Sequence, residues 1–112
     1  MITDDLRHFI LEALPSVWHM EAALLFHARP EHTLAAGDVG AALYLDGATA
    51  EAVLADLRDS QLLRVLPADD ASPRFRYAPR DSTLARLVDQ LAGAYASRLV
   101  ELTTLIHEAG ER

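Results

Sequence analysis

Five histidines, seventeen carboxylates and ten arginines are the groups in this 112-residue chain that could do chemistry. His19 and His27 stand more than two helical turns apart, too far to hold one ion between them. His27 and His32 flank a loop with Glu31 between them, and His8 stands four residues before Glu12. The last pair can share one helical face, but two ligands do not make a structural metal site. With no cysteine and no H-x-x-x-H spacing, no metal or other cofactor is expected. The serines (Ser16, Ser60, Ser72, Ser82, Ser97) fall at expected caps, turns and helix ends, where hydroxyls serve backbone groups. None sits in a Gly-x-Ser-x-Gly setting, and no glycine-rich phosphate loop occurs. Paired carboxylates occur only as Asp4-Asp5 and Asp69-Asp70, in expected ends or turns. No catalytic residue is expected, and the chain reads as a non-enzyme.

The arginines carry more information. There is no lysine, and the net charge is -7, which argues against a nonspecific polyanion binder. The charge is unevenly spread. From Gln61 to Arg80, Arg64, Arg74, Arg76 and Arg80 stand against Asp69 and Asp70, a local balance of +2. Arg74 and Arg76 alternate with Phe75 and Tyr77, so both emerge on one face of a strand. From Asp46 to Ser60 the balance reverses: Asp46, Glu51, Asp56 and Asp59 stand against Arg58, giving -3. The arginine pair can grip a nucleic-acid backbone or minor groove. It can equally form ordinary surface pairs with nearby carboxylates, worth little in energy.

The elements that must position these residues follow from periodicity. Leu6, Phe9, Ile10, Ala13 and Leu14 recur at helical spacing, with Thr3 or Asp4 as cap and Pro15 as the break. Ser16 offers a second cap, and Val17, Met20 and Leu24 mark a second helix that ends in Arg29-Pro30-Glu31-His32. Thr33 to Leu43 reads as a short helix, Tyr44 to Gly47 as a tight turn, and Ala50, Val53, Leu54 and Leu57 as the inner face of a third helix. Leu62 to Pro79 has the alternation of two short antiparallel strands joined by the turn formers at 68–73. Asp81 to His107 carries a near-heptad apolar stripe and, as one helix, would be about 40 Å long. A domain this small lacks the core to cover both its ends, so part of the stripe is expected to meet a second copy. The expected contact residues are Phe9, Ile10, Leu91, Tyr95, Leu99, Leu102 and Ile106.

With 51% hydrophobic residues, the chain can bury one core, and one domain over 1–112 is expected. It divides into a first helix (1–14), a central unit (16–79) and a long C-terminal helix (81–109). No apolar run approaches the roughly 18 residues that a membrane span needs. The acidic start is unlike a signal peptide, so a soluble cytoplasmic protein is expected.

This order, mainly helical with one small antiparallel hairpin, resembles a winged helix-turn-helix regulator. The resemblance is tightest from Val39 to Leu63. Val39-Gly40 stands where such motifs place an apolar and then a small residue, at the close approach of two helices. Leu43 and Leu45 take the next core positions, Asp46 the cap, Thr49 the usual hydroxyl, and Ala50 and Leu54 the inner face of the recognition helix. Tyr44 and Gln61 replace the glycines usual at the turn and at the exit into the wing, positions that often need positive φ. The long last helix is similar to the dimerising helices of MarR-type and PadR-type bacterial regulators.

The resemblance implies a homodimeric transcription regulator that binds double-stranded DNA through Thr49, Arg58, Arg64, Arg74 and Arg76. The outward residues Gly47, Ala48, Thr49, Glu51, Ala52 and Ala55 offer a phosphate lattice little. A second reading follows: the fold serves as a protein-interaction module, with its acidic helix docked on a basic partner. Trp18 and Tyr95 either pack where the reader meets the dimer helices or line a small-molecule pocket there.

Overall fold

The computed structural model describes residues 2–67, 72–97 and 99–110, with the side chains of 97, 99, 101, 109 and 110 excluded. Helix α1 (Asp4–Ala13) starts where the Thr3 hydroxyl accepts the Leu6 N–H at 3.2 Å. Pro15 then separates it from α2 (Val17–Ala28), and the chain turns through 111° between the two. Ser16 caps α2 by accepting the His19 N–H at 3.3 Å. No single helix among the described residues is long and apolar enough to cross a membrane.

A strand follows that the sequence reading missed. Thr33–Ala35 form β1, and only Ala36–Leu43 make the helix α3 expected from Thr33 onward. Three residues are too few to show a period of two, and their pairing comes from a distant segment. Asp38 marks the switch, its carboxylate accepting the Ala35 N–H at 2.9 Å. Helix α4 (Gly47–Asp59) is capped by Asp46, which accepts the Thr49 N–H at 2.7 Å. Strands β2 (Leu63–Leu66) and β3 (Arg74–Tyr77) then pair antiparallel, and β1 joins the far edge in the order β1-β3-β2. The hairpin expectation stands, enlarged by one strand. The turn assigned to 68–73, with Asp69 and Asp70, lies mostly outside the described residues.

The two sites where glycine was missed adopt the backbone that favours it. Tyr44 has φ 58° and Gln61 φ 64°, each costing an L-residue roughly 1 kcal/mol or more. Gln61 recovers some of this, since its side-chain carbonyl and backbone oxygen both accept from Arg80, each at 2.9 Å. Tyr44 gains no such return: its ring is 95% exposed. Gly40 also serves the turn. A Cβ there would lie 2.9 Å from the Leu45 carbonyl oxygen, closer than a methyl group can sit.

The C-terminal segment corrects the expectation of one straight rod over 81–109. It forms α5 (Ser82–Ser97) and α6 (Leu99–Gly110), with residue 98 outside the described residues. The Thr3 hydroxyl donates to Gln90 at 3.2 Å, while Arg7, one turn along α1, meets Glu108 at 3.5 Å. On a straight helix Gln90 and Glu108 would be about 27 Å apart. Instead α6 doubles back along α1. Leu6, Phe9, Ile10, Leu91, Leu102 and Ile106 thus share one core with Met20, Phe26 and Leu54. Phe9, Ile10, Leu91, Leu102 and Ile106 are enclosed by their own chain, so these expected contact residues lie in its core instead. One chain covers this stripe by folding it back onto itself. The Leu99 side chain lies outside the described residues, and Tyr95 is half-buried.

Candidate nucleic-acid interface

The sheet's register assigns its two faces. Val65 pairs with Phe75 and Leu63 with Tyr77, placing these side chains, with Leu34 of β1, on the side toward the helices. The opposite face carries Arg64, Leu66, Arg74 and Arg76, with Thr33 and Ala35. Arg64 stands directly opposite Arg76, and Arg76 directly opposite Thr33. Like charges directly opposite on paired strands repel. Among the described residues, no carboxylate pairs with Arg64 or Arg76.

The three arginines differ in their freedom. Arg74 is committed, donating to the Thr33 hydroxyl at 2.9 Å and the Thr33 carbonyl at 2.8 Å, with Asp38 at 3.7 Å. It ties β3 to β1 and to the start of α3. Arg76 gives one N–H to the Pro30 carbonyl at 3.3 Å and keeps its remaining donors. Arg64 is exposed and has no polar partner among the described residues. Arg29, also exposed, precedes Pro30 and so enters the same region. Sequence reasoning missed it because its place depends on the loop that receives Arg76.

On α4 the expected contacts are otherwise engaged. The Thr49 hydroxyl and N–H both donate to Asp46, holding that carboxyl below its ordinary pKa. Thr49 therefore works in the cap, half-buried. Arg58 pairs with its neighbour Asp59 at 3.2 Å, both exposed. Glu51, Ala52, Asp56 and Asp59 are exposed, so the outward face is acidic as the composition indicated.

Asp56 has a second role. Its carboxylate sits 2.8 Å from His19 Nε2, while His19 Nδ1 lies 2.6 Å from the Ser16 oxygen. His19 is the buried polar side chain at the α2–α4 contact. The same three residue types form nucleophile relays in hydrolases. Here the Ser16 oxygen also accepts the His19 N–H in the first turn of α2, so the chain works as a clasp between two helices. Three of the other four histidines each meet one carboxylate: His8 with Glu12, His27 with Asp89, and His32 with Glu31. No three His, Asp or Glu side chains converge on one point among the described residues.

Trp18 and Tyr95 do come together. They line a cavity of about 680 Å³ between α2, the end of α3 and α5, with Glu21, His27, Leu43 and Tyr44. The Tyr95 hydroxyl donates to Glu21 at 3.4 Å.

No family model matches the chain, and no curated protein matches it. Solved structures do. Reduced HlyU from Vibrio cholerae is 12% identical with a TM-score of 0.60, over 84% of this chain and 90% of that one. A possible transcriptional regulator from Methanosarcina mazei is 14% identical with a TM-score of 0.58, over 88% and 82%. A MepR mutant from a multidrug-resistant S. aureus isolate is 14% identical with a TM-score of 0.62, over 90% and 72%. At such identities the likeness establishes the fold, a winged helix-turn-helix, and nothing finer.

Proposed function

We propose that this protein is a transcription regulator that binds double-stranded DNA through the outward face of its small sheet, without catalysis. The observation that carries the reading is the pairing of Arg64 with Arg76, two cations held side by side and paired with no carboxylate among the described residues. A phosphate between the two guanidinium groups converts their repulsion into two charge-assisted hydrogen bonds. Arg74 holds the sheet in shape for this contact rather than making it. The structural neighbour from M. mazei is described as a possible transcriptional regulator, which agrees with the proposal.

Binding of this type rests on the backbone, so it falls steeply with salt and shows modest sequence preference. A symmetric duplex site calls for two copies. Among the described side chains of α6, Val100, 81% exposed, is available for such a contact. Mixing the protein with random duplex DNA at low ionic strength tests the proposal. Wild type retards the duplex, and the Arg64→Ala, Arg76→Ala double variant needs a far higher protein concentration to do so. Equal retardation by both proteins would remove it.

A second reading is favoured by α4. Its exposed Glu51, beside Asp56 on His19 and Asp59 on Arg58, leaves the face with more acid than base and suits a basic protein partner rather than a phosphate backbone. In that case Glu51→Lys abolishes partner capture while leaving DNA retardation unchanged.

A further inference from the structure

Two faces of this chain carry opposite charge, and each holds a group without a partner. On α4, Glu51 is exposed and makes no hydrogen bond or ion pair among the described residues. Asp56, on His19, and Asp59, on Arg58, are exposed on the same helix, and Arg58 is its one basic residue. Ala48 and Ala52 are exposed and Ala55 is half-buried. Together with Glu51 these alanines fall on one side of the helix. Their methyl groups keep that side low, so another surface can come close and meet Glu51 first.

On the sheet, Arg64 and Arg76 stand opposite each other, with half-buried Leu66 on the same face and exposed Arg29 in the same region. Among the described residues none of the three arginines has a carboxylate partner. Glu51 therefore does not reach them within its own chain. Asp69 and Asp70 lie in the connection between β2 and β3, outside the described residues. Arg29, Arg64 and Arg76 outnumber them, so the face stays basic even with both counted against it.

We infer that the arginine face of the sheet docks α4 of a second copy of this chain, with Glu51 placed between Arg64 and Arg76. A carboxylate has two oxygens and can accept from both guanidinium groups at once. Every chain carries both halves of the contact. Two copies related by a two-fold axis satisfy it twice, and a head-to-tail row satisfies it once per junction. Either arrangement covers the arginines, so a second copy and a duplex compete for them. That consequence rests on the DNA reading above; the contact itself rests on the charges, and its test contains no DNA.

Sedimentation velocity of the full chain at about 0.02 M and about 0.5 M salt reads the contact, since the screening length falls about fivefold between the two. The sedimentation coefficient should rise with protein concentration at the lower salt and lose that rise at the higher. Glu51→Arg alone, and the Arg64→Glu, Arg76→Glu double variant alone, should each associate about tenfold or more weakly at low salt. All three positions are exposed, and circular dichroism verifies the fold of each variant. Glu51→Gln and Arg64→Gln, which only remove charge, should weaken the association severalfold and replace any reversal that fails to fold. Mixed in equal amounts, the two reversed proteins should associate again, because an arginine now meets two glutamates in the same geometry. Wild type that stays at one size at low salt, or a low-salt association that survives both reversals, overturns the inference. So does a mixture that fails to recover, since the two faces would then not meet each other.

Discussion

Arg64 and Arg76 face each other across neighbouring antiparallel strands, and among the described residues neither is neutralised by a carboxylate. In the free protein this pairing is a liability of roughly 0.2–1 kcal/mol, the scale of cross-strand charge pairs. Replacing Arg64 with Thr, a good strand former, should therefore stabilise the protein by a few tenths of a kcal/mol or more. Thermal melting at low salt reads the gain, which should shrink as salt screens the pair. A melting temperature that falls would mean the two guanidinium groups help each other.

Gly40 is required by contact rather than by backbone conformation. Its neighbour Leu45 donates an N–H to the Gly40 carbonyl at 2.9 Å and leaves no room for a Cβ. Gly40→Ala should cost about 1–3 kcal/mol, the range for overpacking a tight contact. Urea unfolding measures it, and a neutral result would show that the turn yields freely.

Leu102 and Val100 lie on the same helix and should respond oppositely to charge. Leu102 is fully buried and Val100 is 81% exposed. Leu102→Glu should unfold the chain, because a buried carboxylate without a partner is too costly to hold. Val100→Glu should leave the fold intact, within about 0.5 kcal/mol. If α6 were a free arm, both variants would stay folded by circular dichroism.

The Tyr77 hydroxyl is buried with no hydrogen-bond partner among the described residues. Burial first, and then the charge of Asp89, pushes its pKa up to about 12. The unfolded chain ionises this group near pH 10 while the folded chain resists until about 12. The associated stability is thus full below pH 10 and is lost as pH rises through that window. Tyr77→Phe should flatten this alkaline decline and gain about 1 kcal/mol at neutral pH by removing an unsatisfied hydroxyl. Guanidinium melts of both proteins at pH 7 and pH 11 test both effects.

What was legible in the sequence follows the range of the forces involved. Caps at Thr3, Ser16 and Asp46, the break at Pro15, and the strained sites Tyr44 and Gln61 are local, and each could be read from a few neighbouring residues. The alternation of Arg74, Phe75, Arg76 and Tyr77 likewise gave the sheet its two faces. The strand at Thr33–Ala35 was invisible because its partner lies some forty residues away. The return of α6 onto α1 was invisible for a related reason: a stripe shows that a helix buries one face, not what covers it. Of the expected DNA contacts, only pairing could separate Arg64, left open, from Arg58 and Arg74, already engaged.

The account stands or falls on the phosphate role of Arg64 and Arg76, and the salt dependence of duplex binding measures it most directly. Each phosphate contact contributes about 0.9 to the slope of log affinity against log salt. The Arg64→Ala, Arg76→Ala double variant loses the one phosphate that both arginines share and should therefore bind random duplex with a slope shallower by about 1 per bound chain. An unchanged slope at unchanged affinity would show that the arginine pair of the sheet does not touch the backbone.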